Sequence, residues 1–243
     1  MVRGRGTTRG RLSPVSTPDI DLPDDILPAD GRFGCGPSKV RADAVDMLAG
    51  SAGHFLGTSH RQAPVKFMVS RLRNAVAELF ALPDGYEVIL GNGGTTVFWD
   101  AATFGLVERK SQHLSFGEFS SKFAECTTRA PFLDDPTIIK TDPGTAPYAL
   151  THNETSTGVA TPIVRPEGAD PGALVAVDAT SAAGGLQFKA SETDVYYFAP
   201  QKCLGSDGGL WIAAVSPAAM ERIERIATGD RWIPASLDLK IAM

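Results

Sequence analysis

The sequence has few cysteines and no long hydrophobic segment. Its three cysteines, Cys35, Cys126 and Cys203, lie far apart and form no CxxC pair, so neither a disulfide framework nor a cysteine metal site is expected. No apolar run approaches the ~18 residues of a membrane-spanning helix, and the net charge of -5 disfavours a nucleic-acid scaffold. These absences favour a metal-free enzyme of the cytoplasm that binds neither membranes nor nucleic acid.

The first 30 residues differ in composition from the rest of the chain. They are polar, rich in Pro, Gly and Arg, and lack the apolar core of a signal peptide. We expect residues 1–30 to form a disordered or poorly ordered arm; the alternatives are an over-long start and an RNA-binding arm. Residues 31–243 are then the folded part.

A glycine-rich turn follows a short β-type run at residues 86–90. The turn, residues 91–96 with the sequence GNGGTT, leads at once into a helix predicted over residues 97–104. Backbone N–H groups and the helix dipole favour an anion at such a junction, and the hydroxyls of Thr95 and Thr96 add donors. An ordinary tight turn explains the pattern equally well, and the turn is not a Walker A loop because no Lys-Ser/Thr pair follows.

Two polar residues follow apolar runs that are typical of buried strands. Residues 174–177 form a continuous apolar run that ends at Asp178, where an unpaired acid would be costly. Residues 195–198 form the next run and lead to Lys202 in a turn. A desolvated lysine is a nucleophile that forms Schiff bases with aldehydes, whereas a lone lysine in a loop is usually solvated.

The alternation of strands and helices predicts a mainly parallel α/β sheet that binds ligands at the carboxyl ends of its strands. The glycine-rich turn, Asp178 and Lys202 then fall at one edge of the sheet. One cofactor, pyridoxal 5'-phosphate, needs all three, because it carries a phosphate, a pyridine nitrogen and an aldehyde. The three signals together therefore predict a pyridoxal phosphate site.

Other residues are candidates for contacts with the cofactor ring. Asn153 and Thr155, in a polar loop at a strand end, can bond the 3-oxygen. Phe119 or Trp99 can stack on the ring face, although helix packing is the commoner role for a residue such as Trp99. Ser181 is placed to support Asp178 or the phosphate.

Seven segments together resemble the phosphoserine aminotransferase family of the actinobacterial type, within the class V aminotransferases. They are residues 31–40, 57–64, 82–94, 117–119, 152–158, 177–181 and 196–211. Each segment is a weak signal alone, and the set is specific. The resemblance implies the aspartate-aminotransferase-like fold (fold type I), with a mainly parallel sheet sandwiched by helices. It also implies a homodimer in which both subunits build each site.

The resemblance also implies the reaction and the residues that perform it. The family transfers an amino group from L-glutamate to 3-phosphohydroxypyruvate, giving O-phospho-L-serine and 2-oxoglutarate in serine biosynthesis. Lys202 corresponds to the Schiff-base lysine, and Asp178 to the partner of the pyridine nitrogen. The resemblance also implies that the cofactor phosphate contacts Thr95, Thr96 and Gln201. The 3-oxygen would contact Thr155, and the ring face would contact Phe119. The acid groups of the substrate would bind to His60 and Arg61.

The sequence departs from the family pattern at two places. It ends at Met243, before the small C-terminal domain of the family, and it lacks a short piece between Pro147 and Tyr148. We therefore expect the large cofactor-binding domain without the small one. The alternatives are another class V enzyme acting on small substrates and an inactive truncated fragment. Cys203, beside the lysine, is badly placed to act as the catalytic cysteine of a desulfurase.

Overall fold

The computed structural model describes residues 20–28, 30, 36–140 and 150–243. Most of the predicted N-terminal arm, Cys35 and the predicted gap between Pro147 and Tyr148 lie outside the described residues. Within residues 20–28 the chain forms a single 3-10 turn at Asp24–Ile26. None of the helices in the described ranges is long and apolar enough to cross a membrane.

The described part of residues 36–243 alternates helices and strands. Its helices are α1 (Ala42–Phe55), α2 (Ala63–Leu79), α3 (Gly94–Gly105), α4 (Glu118–Arg129), α5 (Pro217–Ala227) and α6 (Leu239–Ala242). Its strands are β1 (Glu87–Asn92), β2 (Gln112–Ser115), β3 (Thr137–Lys140), β4 (Leu150–Thr151), β5 (Asn153–Glu154), β6 (Val159–Ala160), β7 (Ala176–Asp178), β8 (Val195–Phe198) and β9 (Leu210–Val215). The helix predicted over residues 97–104 begins three residues earlier, directly after the glycine turn.

The main sheet has the strand order β1-β9-β8-β7-β4. Strands β4, β7 and β8 pair in parallel, and β9 pairs antiparallel with both β8 and β1. Four of these five strands therefore point the same way, which confirms the predicted α/β class. Strand β9 points the other way because it returns directly from β8 through residues 199–209, without a crossover helix. A separate parallel pair, β2 and β3, lies beside β4.

Strand β8 is the centre of the core, and all four of its residues are buried. Because side chains alternate across a strand, Tyr196 and Phe198 pack on one face of the sheet with Val76 of α2. Their neighbour Tyr197 packs on the other face, against Phe98 of α3 in a stacked arrangement with ring centroids 4.3 Å apart. The sheet is thus covered on both faces, as its continuous apolar strands predict.

A buried histidine on β2 makes the stability of the fold depend on pH. His113 Nε2 lies 2.9 Å from Ser111 Oγ and 3.0 Å from Thr127 Oγ1, and burial lowers the pKa of His113 to about 4. The unfolded histidine titrates near ~6.5, so between those two values the unfolded chain binds a proton that the folded chain does not. The stabilisation is complete above pH ~6.5 and is lost as the pH falls toward 4.

We therefore expect the free energy of unfolding to fall by about 3 kcal/mol at most, through His113, between pH 7 and pH 4. Urea denaturation across this range measures the change. His113→Gln, which cannot gain a proton, should lose this part of the pH dependence. An identical pH dependence in the variant would show that other groups cause it.

Candidate active site

The carboxyl ends of β1, β7 and β8 meet at one edge of the sheet. Strand β1 leads into the glycine turn, β7 ends at Asp178, and β8 leads to Lys202. A hydrogen bond between Thr95 Oγ1 and Thr180 Oγ1, 2.7 Å long, joins the start of α3 to the loop after β7. The structure thus brings together the three predicted elements of a cofactor site.

The N-terminus of α3 is open to an anion. Gly93 and Gly94 have φ angles of 99° and 68°, which favour glycine because it has no Cβ. The helix has no side-chain cap and no acidic residue in its first turn, so its first N–H groups and its dipole are available to a negative ligand. A Cβ added to Gly94 would meet no atom within 4 Å. The turn can therefore accept a phosphate group.

Asp178 is a buried carboxylate held by two donors. Its Oδ1 accepts a hydrogen bond of 2.9 Å from the Thr180 N–H, and its Oδ2 accepts one of 3.3 Å from Trp99 Nε1. Burial raises the pKa of Asp178 despite these donors, and a positively charged partner would favour the ionised form. Trp99 lies in the core of the domain, so it orients Asp178 rather than offering its face to a ligand.

Ser181 organises the polar loop that carries Thr155. Its Oγ accepts hydrogen bonds from Asn153 Nδ2 at 2.9 Å and Thr155 Oγ1 at 3.0 Å, and it donates to the Asn153 carbonyl at 2.8 Å. The sequence analysis expected Ser181 beside Asp178 or the phosphate. In the described part of the chain the hydrogen bonds of its hydroxyl go to this loop.

Lys202 is partly buried and lies against the segment that precedes α1. The Ser38 N–H donates to the Gln201 carbonyl at 2.6 Å, and Ser38 Oγ donates to the Lys202 carbonyl. A Cβ on Gly36 would meet the end of the Lys202 side chain, and the φ angle of Gly36, 131°, favours glycine. Gln201 Oε1 is buried without a hydrogen-bond partner among the described residues. Such an atom is unusual unless a ligand or water satisfies it.

His60 and Arg61 lie apart from this cluster. Both are exposed on the connection between α1 and α2, and the Arg61 N–H donates to Ser59 Oγ at 3.3 Å. No hydrogen bond or ion pair in the described part of the chain joins either side chain to Lys202 or Asp178. Their predicted contact with substrate stays a prediction.

Glu154 is a site residue that the sequence analysis did not single out. Its side chain is fully buried between the start of α4 and the hairpin of β5 and β6. The carboxylate accepts hydrogen bonds from the N–H groups of Phe119 and Ser120 and from Ser156. The available signal was a pair of glycine-containing motifs, residues 117–119 and 153–158, the second of which contains Glu154. Only the fold shows that these motifs meet.

A cavity of about 700 Å³ lies near the other ends of the strands, lined in part by residues 106–113 and 168–176. None of the predicted site residues lines it. One of its cations, Arg222, forms an ion pair, with Nε 3.2 Å from Glu108 Oε2. The cavity therefore has no part in the cluster around Lys202.

The chain is similar in sequence and in fold to known aminotransferases. Residues 134–234 match the family model for aminotransferase class V. The chain is 56% identical over 237 residues to a putative phosphoserine aminotransferase from Mycobacterium leprae, covering 93% of this chain and 63% of the relative. A crystal structure of a phosphoserine aminotransferase from Cytophaga hutchinsonii superposes with a TM-score of 0.72 at 24% identity, covering 85% of this chain and 62% of that one.

A pyridoxal-phosphate-bound phosphoserine aminotransferase from Trichomonas vaginalis superposes with a TM-score of 0.64 at 16% identity, covering 86% of this chain and 62% of that one. The fold is therefore that of the fold type I pyridoxal-phosphate-dependent aminotransferases. The similarity to the aminotransferase class V family covers residues 134–234. It spans less than two thirds of the length of the curated relatives that it matches.

Proposed function

We propose that this chain acts as a phosphoserine aminotransferase, which uses pyridoxal 5'-phosphate to transfer an amino group from L-glutamate to 3-phosphohydroxypyruvate. In this proposal residues 31–243 form the large cofactor-binding domain. The observation that carries the proposal is the meeting of an open helix N-terminus, a buried acid and a lysine at one sheet edge. The 56% identity to a relative named putative phosphoserine aminotransferase supports the choice of substrate.

The residues present fit each group of the cofactor. The uncapped start of α3, with Thr95 and Thr96, suits the phosphate. Gln201 directly precedes Lys202 in the chain, and its amide N–H₂ is the group that could donate to the phosphate, because its buried Oε1 can only accept. Asp178 suits a protonated pyridine nitrogen because a cation offsets the cost of its burial.

When bound, the cofactor supplies an electron sink for the carbanion at the substrate Cα. Lys202 would hold the cofactor through its aldehyde and would move the proton at the substrate Cα. Asp178 would keep the pyridine nitrogen protonated. Phe119 would cover one face of the ring, and Thr155 would hydrogen-bond the 3-oxygen. We place the activity in the cytoplasm, a choice supported by the free thiols of Cys126 and Cys203.

The first test of the proposed function concerns Lys202. Lys202→Ala should lose transamination, because both the covalent attachment and the proton transfer need the amine. Borohydride reduction of the cofactor-loaded protein, followed by peptide mapping, should label Lys202 in the wild type and in the control Lys189→Ala, which changes an exposed lysine outside the site. A label on a different lysine would contradict the assignment.

The second test of the proposed function concerns Asp178. Asp178→Asn should still bind the cofactor but should remove the substrate proton more slowly by orders of magnitude, since a neutral pyridine accepts electrons poorly. Single-turnover kinetics with glutamate measures this step. Asp230→Asn, at an exposed position, serves as the control. An unchanged single-turnover rate in Asp178→Asn would exclude the proposed pairing.

The exposed face of α1 and α2 supports a homodimer. Helix α1 buries none of its 14 residues, and Val45, Met47 and Leu48 on α1 and Phe67 on α2 are exposed. Apolar side chains clustered in this way usually mark an interaction surface. We propose that a second copy of the chain covers this face, and that the loop bearing His60 and Arg61 thereby reaches the site of the other subunit.

The substrate proposal is tested at Arg61. A lysine keeps the charge but loses the bidentate fork that suits a phosphate. Arg61→Lys should reduce kcat/KM for 3-phosphohydroxypyruvate by roughly tenfold, about 1.4 kcal/mol, and should reduce it less for hydroxypyruvate. Arg109→Lys, in an exposed ion pair away from the site, should change neither value. Equal losses on both substrates would show that Arg61 does not contact the phosphate.

A further inference from the structure

We propose that Glu154 is a positioning residue for the cofactor ring. Its carboxylate ties the start of α4, which carries Phe119, to the hairpin of β5 and β6, which leads into Thr155. Phe119 and Thr155 are the proposed contacts with the face and the 3-oxygen of the ring, so the inference rests on the proposed function and adds a residue to it. Glu154 touches neither ring nor substrate and acts through these two neighbours.

On one side, the carboxylate holds the backbone of Phe119 itself. Glu154 Oε1 accepts a hydrogen bond of 3.3 Å from the Phe119 N–H, and Oε2 accepts one of 2.8 Å from the Ser120 N–H. These are the first N–H groups of α4, which lack partners inside the helix. The position of the Phe119 backbone is therefore set by a charge located 35 residues further along the chain.

On the other side, the same carboxylate closes the loop around Thr155. Glu154 Oε1 accepts from the Ser156 N–H at 3.1 Å and from Ser156 Oγ at 2.7 Å. Ser156 Oγ in turn accepts from the Glu118 N–H at 2.9 Å. Thr155 thus lies between two residues that are both anchored to the start of α4.

The charge of Glu154 is essential to this arrangement. Its side chain is 0% exposed, and an isolated buried carboxylate would be costly. Burial on its own would raise the pKa of Glu154, but the hydrogen bonds from Ser156 and Ser120 outweigh burial and hold the pKa below its ordinary value. A glutamine could accept with one oxygen only, and its amide N–H₂ would face a backbone donor.

Gly117 explains how the two segments approach so closely. A Cβ at Gly117 would overlap the Glu154 side chain and Ser156 Oγ. The φ angle of Gly117 is -178°, so the glycine is required by space and not by backbone conformation. Gly117 and Glu154 therefore belong to one contact between the two segments.

A double-mutant cycle on the affinity for pyridoxal phosphate tests the inference. Glu154→Gln should weaken pyridoxal phosphate binding to the apoprotein by about tenfold or more, measured by absorbance titration. Circular dichroism of the bound cofactor in the visible range should fall while the far-ultraviolet spectrum stays unchanged. In a Phe119→Leu background most of the loss caused by Glu154→Gln should disappear, because the phenyl ring of Phe119 that Glu154 positions is absent.

The matched control is Glu192→Gln. Glu192 also accepts a backbone hydrogen bond, from the Arg165 N–H at 2.8 Å, but it contacts no proposed cofactor residue. This variant should bind the cofactor as the wild type does. If Glu154→Gln does not fold, Ser156→Ala removes one donor and keeps the charge; it should weaken binding less and show the same dependence on Phe119.

The outcomes separate this inference from the proposed function. Additive losses from Glu154→Gln and Phe119→Leu, or unchanged affinity in Glu154→Gln and Ser156→Ala, would overturn the positioning role while leaving the cofactor assignment intact. A wild-type protein that carries no cofactor on Lys202 after borohydride treatment would overturn both.

Discussion

The burial of β8 on both faces determines where the chemistry of this chain is located. Tyr196 and Phe198 pack into one core and Tyr197 into the other, so a slip of the strand by one residue would move each aromatic side chain into the opposite core, which is packed around different residues. The chain therefore leaves the sheet at a defined point after Phe198 and delivers Lys202 four residues later. Strand β7, parallel and adjacent, ends at Asp178 in register with Tyr197, which places the acid at the same edge.

Two helices begin at this edge, and their N-termini are treated differently. Helix α4 receives the buried carboxylate of Glu154, so its first N–H groups are satisfied within the protein. Helix α3 receives no side-chain cap and no acid. The N-terminus of each helix carries partial positive charge. In α4 this charge is neutralised by Glu154, whereas in α3 it stays available to an anionic ligand. This difference makes the glycine turn the more favourable of the two N-termini for the proposed phosphate.

The same edge contains groups that do not favour stability by themselves. The pKa of Asp178 is raised by burial, and Gln201 has a buried amide oxygen that no described residue satisfies. Protein interiors normally pair such groups, and unpaired or strained groups are concentrated at functional sites. Two neighbours of Asp178 reduce the free-energy cost of burying its carboxylate. Trp99 and Thr180 donate hydrogen bonds to its two oxygens and fix its orientation.

Local sequence patterns determined the elements of this protein. Apolar runs of strand length predicted β1, β7 and β8, the glycine turn predicted the start of α3, and the combination of that turn with Asp178 and Lys202 predicted the class of site. The inferences about the strands and the start of α3 succeed because each depends on residues within a few positions of one another, where backbone geometry and side-chain periodicity act directly.

Only the tertiary structure decided how the elements contact each other. The partner of Asp178 is Trp99, 79 residues away, and the partner of Glu154 is Ser120, 34 residues away. The direction of β9 and the attachment of Ser181 to the Thr155 loop were equally invisible in the sequence. Hydrogen bonds between distant segments form because packing brings their ends together, and no local pattern encodes which donor will lie opposite a buried acid.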